Sequence, residues 1–150
     1  EYFEQIPETS NRYATAISDI AIAYNMLGEN DKAMTVYKQA IESNPENTTV
    51  LFNLGRLYLE NENYQEALDV LKKVYELEGK SFDNCMSIGH AYFGLENFSD
   101  AAVYYQQAHE IKPEDPNALQ WLFSSYLKAN KTQQADKYYQ KYLEITGEEK

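Results

Sequence analysis

The chain contains one cysteine, so an internal disulfide is impossible, and no apolar run approaches the roughly 18 residues of a membrane-spanning helix. Neither fact fixes the compartment, although a cytoplasmic setting is slightly favoured. Basic residues are scarce: 13 Lys and Arg, of which two are Arg, face 24 Asp and Glu for a formal net charge of −11. That surplus repels phosphate backbones and anionic headgroups, which argues against nucleic acid and membrane partners. There is no Gly-rich phosphate loop, no Gly-x-Ser-x-Gly and no His-Glu-x-x-His. The two histidines, His90 and His109, have no ligand-spaced Cys, His or carboxylate set beside them. No cofactor, metal site or catalytic group is therefore nominated, and the reading is of a non-enzyme. The chain opens at Glu1 without Met or an apolar leader, as a processed or excised piece would.

What is present is a foldable composition, 43% hydrophobic and 14% aromatic over 150 residues, enough for a core without disulfides or metals. It is organised as a repeat with a period of 34: Tyr24, Tyr58, Tyr92 and Tyr126 recur at that spacing, as do Ala33, Ala67, Ala101 and Ala135. Ile20, Leu54, Ile88 and Leu122 precede each Tyr, followed by Ala21, Gly55, Gly89 and Phe123. Tyr37, Leu71, Tyr105 and Tyr139 follow each Ala, and the units close near Pro45, Gly79, Pro113 and Gly147. Four repeats fit without insertion, 14–47, 48–81, 82–115 and 116–149, in a single domain with residues 1–13 as a lead-in. In the lead-in, Tyr2, Phe3 and Ile6 fall in register with Val36, Tyr37 and Ala40, as the end of an earlier repeat would.

Within each unit the apolar spacing is helical, for example Ile17, Ile20 and Tyr24, then Ala33, Tyr37, Ala40 and Ile41. Short polar segments such as Gly28-Glu29-Asn30-Asp31 and Asn61-Glu62-Asn63 join two antiparallel helices per unit. Asn47, Thr48, Ser81, Ser99 and Asp115 offer capping oxygens, and Pro45 and Pro113 stop what precedes them. The small Ala21/Gly55/Gly89 and Ala33 columns allow close approach of paired helices, with tyrosines filling the space beside them. Cys85 shares a column with Ile17, Leu51 and Leu119, which predicts a buried, inert thiol.

This pattern, a large apolar residue, Leu-Gly, Tyr, Ala, an aromatic and a closing Pro at 34-residue intervals, resembles the tetratricopeptide repeat over about nine-tenths of the chain. The resemblance implies an all-α fold, a right-handed α-α superhelix of four stacked helix-turn-helix repeats. The fourth repeat departs from the pattern, with Phe123 in the small column, Tyr142 where Ala40 and Ala108 stand, and Asp136 in the column of Leu68 and Ala102. Asp136 suits an array end facing water, whereas Leu143 and Ile145 do not; either a capping element follows Lys150 or these residues meet another molecule.

The resemblance further implies a concave wall made of the first helix of each unit. On that wall fall Ile22, Phe52, Asn53, Arg56, Leu59, Met86, His90, Phe93, Trp121 and Leu127, the expected partner-binding residues. Rings and aliphatics beside a central Arg form the composition of a binding hot spot. The competing reading is that tight packing hides several of them. Arg56 and His90 are the expected cationic or donor groups, suited to a carboxylate on a guest, although Asp19 and Asp83 share the wall and Arg56 can pair with Glu60. The family's clamp for the C-terminal carboxylate of chaperones is absent. Asn53 matches its middle Asn, but the flanking positions carry Ser18 and Ile22 on one side and Asp83 and Ser87 on the other. In the other frame Phe52 and Arg56, Ser87, and Asn117 and Trp121 fail likewise.

The expected function is a non-catalytic adaptor that holds a peptide segment or helix of a partner protein. The alternatives are a self-association module, with Tyr138, Tyr142 and Leu143 making a homo-oligomer through the terminal helix, or a regulatory region of a larger enzyme or transcription regulator.

Overall fold

The computed structural model describes residues 11–147, so Tyr2, Phe3 and Ile6 lie outside the described residues. Among the described residues there are eight α-helices and no strand. They fall into two compact units, Glu1–Glu78 and Gly79–Lys150. The first holds α1 (Asn11–Met26), α2 (Asn30–Ser43), α3 (Thr48–Glu60) and α4 (Tyr64–Glu78). The second holds α5 (Phe82–Gly94), α6 (Phe98–Ile111), α7 (Pro116–Lys128) and α8 (Thr132–Thr146). In each unit every helix packs on the next in sequence, and α1 also touches α3.

The 34-residue period is written into the backbone hydrogen bonds. The N–H groups of Glu29, Asn63, Asn97 and Lys131 donate to the carbonyls of Tyr24, Tyr58, Tyr92 and Tyr126 at 2.9, 2.9, 2.9 and 2.8 Å. Each of these bonds closes the end of a first helix around a left-handed residue, as Schellman motifs do. Those residues, Gly28, Glu62, Glu96 and Asn130, have φ of 74°, 59°, 58° and 58°. The carbonyls of residues 29, 63, 97 and 131 then accept from Ala33, Ala67, Ala101 and Ala135, at 3.0 to 3.1 Å. The nine-residue interval between the Tyr and Ala columns is thus the length of one turn with a helix end on either side.

Between hairpins, Asn47, Ser81 and Asp115 cap the following helix, accepting from Val50, Asn84 and Ala118 at 3.2, 3.2 and 2.9 Å. Ser99 departs from expectation. The cap of α6 is Asn97, two residues earlier, because the turn leaves the left-handed Glu96 and enters the helix at once; Ser99 lies inside the first turn. Thr48 is likewise the first residue of α3, and its hydroxyl donates to Glu78 at the end of α4. Ahead of Pro45 and Pro113, Asn44 and Lys112 leave the helical region (φ −141°, ψ 89° and φ −127°, ψ 84°), ending α2 and α6, in keeping with the restriction that a following proline imposes.

The small columns do what close helix approach demands. A Cβ added to Gly55 would lie 2.6 Å from Leu71 Cγ, and one added to Gly89 would lie 2.6 Å from Tyr105 Cε1. Ala33, Ala67 and Ala101 are wholly buried. In the fourth repeat Phe123 replaces the small residue, and its ring meets Tyr139 and Tyr142 at 5.2 and 5.6 Å. A phenyl group in that column leaves no room for Tyr139 to lie against its partner helix. Tyr139 is 40% exposed, while its column-mate Tyr105 is 0% exposed. Two of the three residues expected on a self-association face behave otherwise: Tyr138 and Leu143 are buried, since Tyr138 joins the core cluster of Tyr105, Leu119 and Leu122. Cys85 is buried, its Sγ 3.9 Å from Gln107 Oε1, and desolvation pushes the thiol pKa up, against the reactive thiolate.

Candidate functional site

The expected site residues separate into two local arrangements, one in each unit. In the first unit, α1 and α3 diverge over the side chain of Tyr37 from α2 and leave a cleft of about 110 Å³. Ile22, Asn25, Asn53, Arg56 and Glu60 line it, with Ala21, Tyr37 and Leu57 beneath. The polar lining is tied down. Asn53 Nδ2 donates to Ser18 Oγ at 2.8 Å, and Ser18 Oγ donates to the Ala14 carbonyl at 2.8 Å. Asn25 Nδ2 donates to Glu60 Oε2 at 3.0 Å, bridging the two helices at the rim.

Burial raises the Tyr37 hydroxyl pKa; hydrogen bonding to Ser18 and the nearby Arg56 charge oppose the rise, and the Glu60 and Asp19 carboxylates reinforce it. Tyr37 is therefore a neutral phenol under the cleft. Arg56 is exposed, and among the described residues no carboxylate lies within ion-pair distance of its guanidinium. The i,i+4 pair with Glu60 does not form; Glu60 is held by Asn25 instead. Ile22 stands 51% exposed at the mouth.

In the second unit the matching positions are filled. Trp121 from α7 stacks on Tyr105 (5.9 Å between centroids, 22° between planes). It also meets His90 and Phe93 edge-on at 4.8 and 5.1 Å. Phe93 in turn packs against Phe98 at 5.0 Å, and Met86 lies on the same cluster. His90 Nδ1 is 2.7 Å from the Tyr105 hydroxyl. Burial lowers the His90 pKa and holds the ring neutral at pH 7. Of the two expected roles for His90, cation or donor, desolvation disfavours the charged form, and one ring nitrogen lies within hydrogen-bond distance of the Tyr105 hydroxyl.

Of the ten expected residues, the structure brings Ile22, Asn53 and Arg56 together in one cleft and Met86, His90, Phe93 and Trp121 together in one cluster. Phe52 and Leu59 are half-buried on α3 outside the cleft lining, and Leu127 is 58% exposed on α7. Periodicity alone assigns Tyr37 and Tyr105 to the core, and each also forms the floor of its unit's site. Their shared column was visible in the sequence; the reach of a phenol through to the face between the first helices was not. Among the described residues no group of three or more His, Cys, Asp or Glu is placed to hold a metal ion, and no helix is long and apolar enough to cross a membrane.

Comparison with known proteins agrees with this architecture. A family model described as Tetratricopeptide repeat matches residues 24–81 and 92–149. Over 56 residues, 37% of this chain, the sequence is 39% identical to BBSome complex member BBS4 of Bos taurus, of which the match spans 11%. Among solved structures, MamA 41-end from Desulfovibrio magneticus RS-1 is similar with a TM-score of 0.83 at 21% identity, covering 97% of this chain and 82% of that one. YrrB, described as a TPR protein with an unusual peptide-binding site, is similar with a TM-score of 0.80 at 22% identity, covering 97% of this chain and 75% of that one. At these identities the structural likeness speaks for the fold, an all-α solenoid of helix-turn-helix repeats. With the family model matching both units over most of their length, the chain belongs to the tetratricopeptide repeat family.

Proposed function

We propose that the chain is a non-catalytic adaptor and that the cleft between α1 and α3 holds part of a segment of a partner protein. The fold supports a protein–protein interaction scaffold, and proteins of this family are typically non-catalytic. The observation that carries the reading is the cleft itself, an opening of about 110 Å³ with Ile22 at the mouth and Arg56 without an ion-pair partner among the described residues. Its volume is well below the roughly 300–1,000 Å³ of small-molecule sites, so it fits one side chain of a longer guest. Arg56 adds a charge-assisted contact for an acidic group next to that side chain. Phe52, Leu59, Met86, His90, Phe93, Trp121 and Leu127 belong to the proposal as further contacts, with Trp121 and His90 offering mainly ring edges. The similarity to a member of a multi-protein complex and to a peptide-binding repeat protein supports the same reading.

Partner capture from the source organism's lysate tests it. Ile22→Glu and Arg56→Glu abolish capture while leaving helicity and the melting transition in place; capture retained by both variants rejects the cleft. Trp121 is a poor first probe, because it packs on Tyr105 and its removal disturbs the core. Self-association through α8 is a second reading, favoured by Tyr139 and Ile145, both solvent-exposed there. Sedimentation as a monomer at every concentration excludes it.

A further inference from the structure

We infer that the cleft of the first unit is a seat for one aromatic side chain of the bound segment. The inference rests on reading the cleft as protein-binding, and the molecule itself supplies the template. Two periods along the chain, Ala21, Ile22, Asn25, Tyr37 and Asn53 become Gly89, His90, Phe93, Tyr105 and Trp121. In the second unit the Trp121 indole lies on Tyr105 and between His90 and Phe93, filling the space that the helix pair encloses. In the first unit the floor is retained, with Tyr37 in the place of Tyr105, and so is a side wall, with Ile22 in the place of His90. The ring is missing. Asn53 stands at the indole's position, and its short carboxamide is drawn aside to Ser18.

An apolar cavity of about 150 Å³ holds benzene, so a cleft of about 110 Å³ with an open mouth admits one ring with its edge toward solvent. A guest ring entering between α1 and α3 meets the Tyr37 phenol beneath and the Ile22 side chain beside it, an arrangement of the kind aromatic side chains favour. Arg56 at the rim can lie over the ring face or pair with an acidic neighbour in the guest. Asn25 and Glu60, bonded to each other, line the same cleft. The guest is therefore a protein segment carrying Trp, Tyr or Phe.

Amide NMR spectra of the intact chain, titrated separately with N-acetyltryptophanamide and N-acetylleucinamide, test this. The tryptophan probe shifts the amides of Ile22, Asn25, Asn53 and Arg56, the leucine probe shifts them far less, and Asn53→Trp abolishes the effect by placing the chain's own indole in the cleft. Asn53→Leu, a smaller change, reduces the effect and serves if the Trp variant does not fold. Absence of shifts at these four amides, equal shifts by both probes, or shifts that persist in both variants overturns the inference. Partner capture is read independently: capture lost in Arg56→Glu without any response to the tryptophan probe removes the aromatic seat and keeps the adaptor. A probe response with capture unaffected by the cleft variants leaves a cleft that accepts a ring but removes it as the seat of the bound segment, which overturns the inference.

Discussion

Gly89→Ala adds a single carbon at the most tightly packed point of the second unit. The new Cβ would stand 2.6, 2.8 and 2.9 Å from Cε1, Cδ1 and Cζ of Tyr105, about 1 Å inside the 3.5–4.0 Å at which carbons normally rest. Tyr105 cannot yield cheaply. It is wholly buried, its hydroxyl is 2.7 Å from His90, and its ring is stacked under Trp121. Overpacking of this kind costs about 1–3 kcal/mol, offset by the ~1 kcal/mol that alanine gains over glycine within a helix. A net loss of about 1 kcal/mol is expected. Trp121, the only tryptophan, lies on Tyr105 and reports the transition in urea by its fluorescence. In a Tyr105→Ala background the clash is gone, and the same substitution becomes neutral or stabilising. If Gly89→Ala raises the urea midpoint in the parent chain as much as in that background, the small column is not set by contact with Tyr105.

The turns give a prediction of opposite sign. Glu96→Gly relieves a left-handed residue with φ 58°; conformations of this kind cost an ordinary side chain roughly 1–2 kcal/mol, so the variant melts higher by about 1 kcal/mol of stability once glycine's larger unfolded-state entropy is deducted. Gly28→Ala, at φ 74° with nothing within 4 Å of the added Cβ, loses stability through its backbone alone. Acidification is expected to weaken the second unit. Burial lowers the pKa of His90, and of His109, in the folded state, so the unfolded chain binds protons first. Stability is full above the ordinary histidine value of 6.5 and falls as pH drops below it toward the folded values. Melting followed by Trp121 fluorescence at pH 7.5 and 5.5 shows this, and His90→Gln reduces the difference; an unchanged difference would mean His90 is not desolvated.

Much of this architecture was legible because a repeat states its packing several times. The Tyr and Ala columns and the polar turns between them located every hairpin, and the small residue three positions before Tyr24, Tyr58 and Tyr92 located the close helix contacts. Single positions were harder. Glu62 and Glu96 occupy left-handed positions that a sequence reader gives to Gly or Asn, and only their register with Gly28 and Asn130 reveals them. Ser99 is a good cap by type, but the turn is too short to leave it outside the helix. The fate of the expected binding wall was the least legible part. Periodicity assigns a face, but it does not say whether a ring on that face turns outward or folds onto a neighbour. Trp121 folds onto Tyr105 and against His90, whose burial disfavours its charged form, while Asn53 at the same position leaves a cleft. That difference depends on which ring meets which across a helix pair, information that no single column contains.

The most direct measurement replaces Ile22 with the photo-crosslinking residue p-benzoylphenylalanine and irradiates the chain together with its captured partner. Glu66, exposed on α4, carries the same residue as a control. A guest seated between α1 and α3 gives a covalent adduct from position 22 and none from position 66. Adducts in equal yield from both positions, or from position 66 alone, contradict the account.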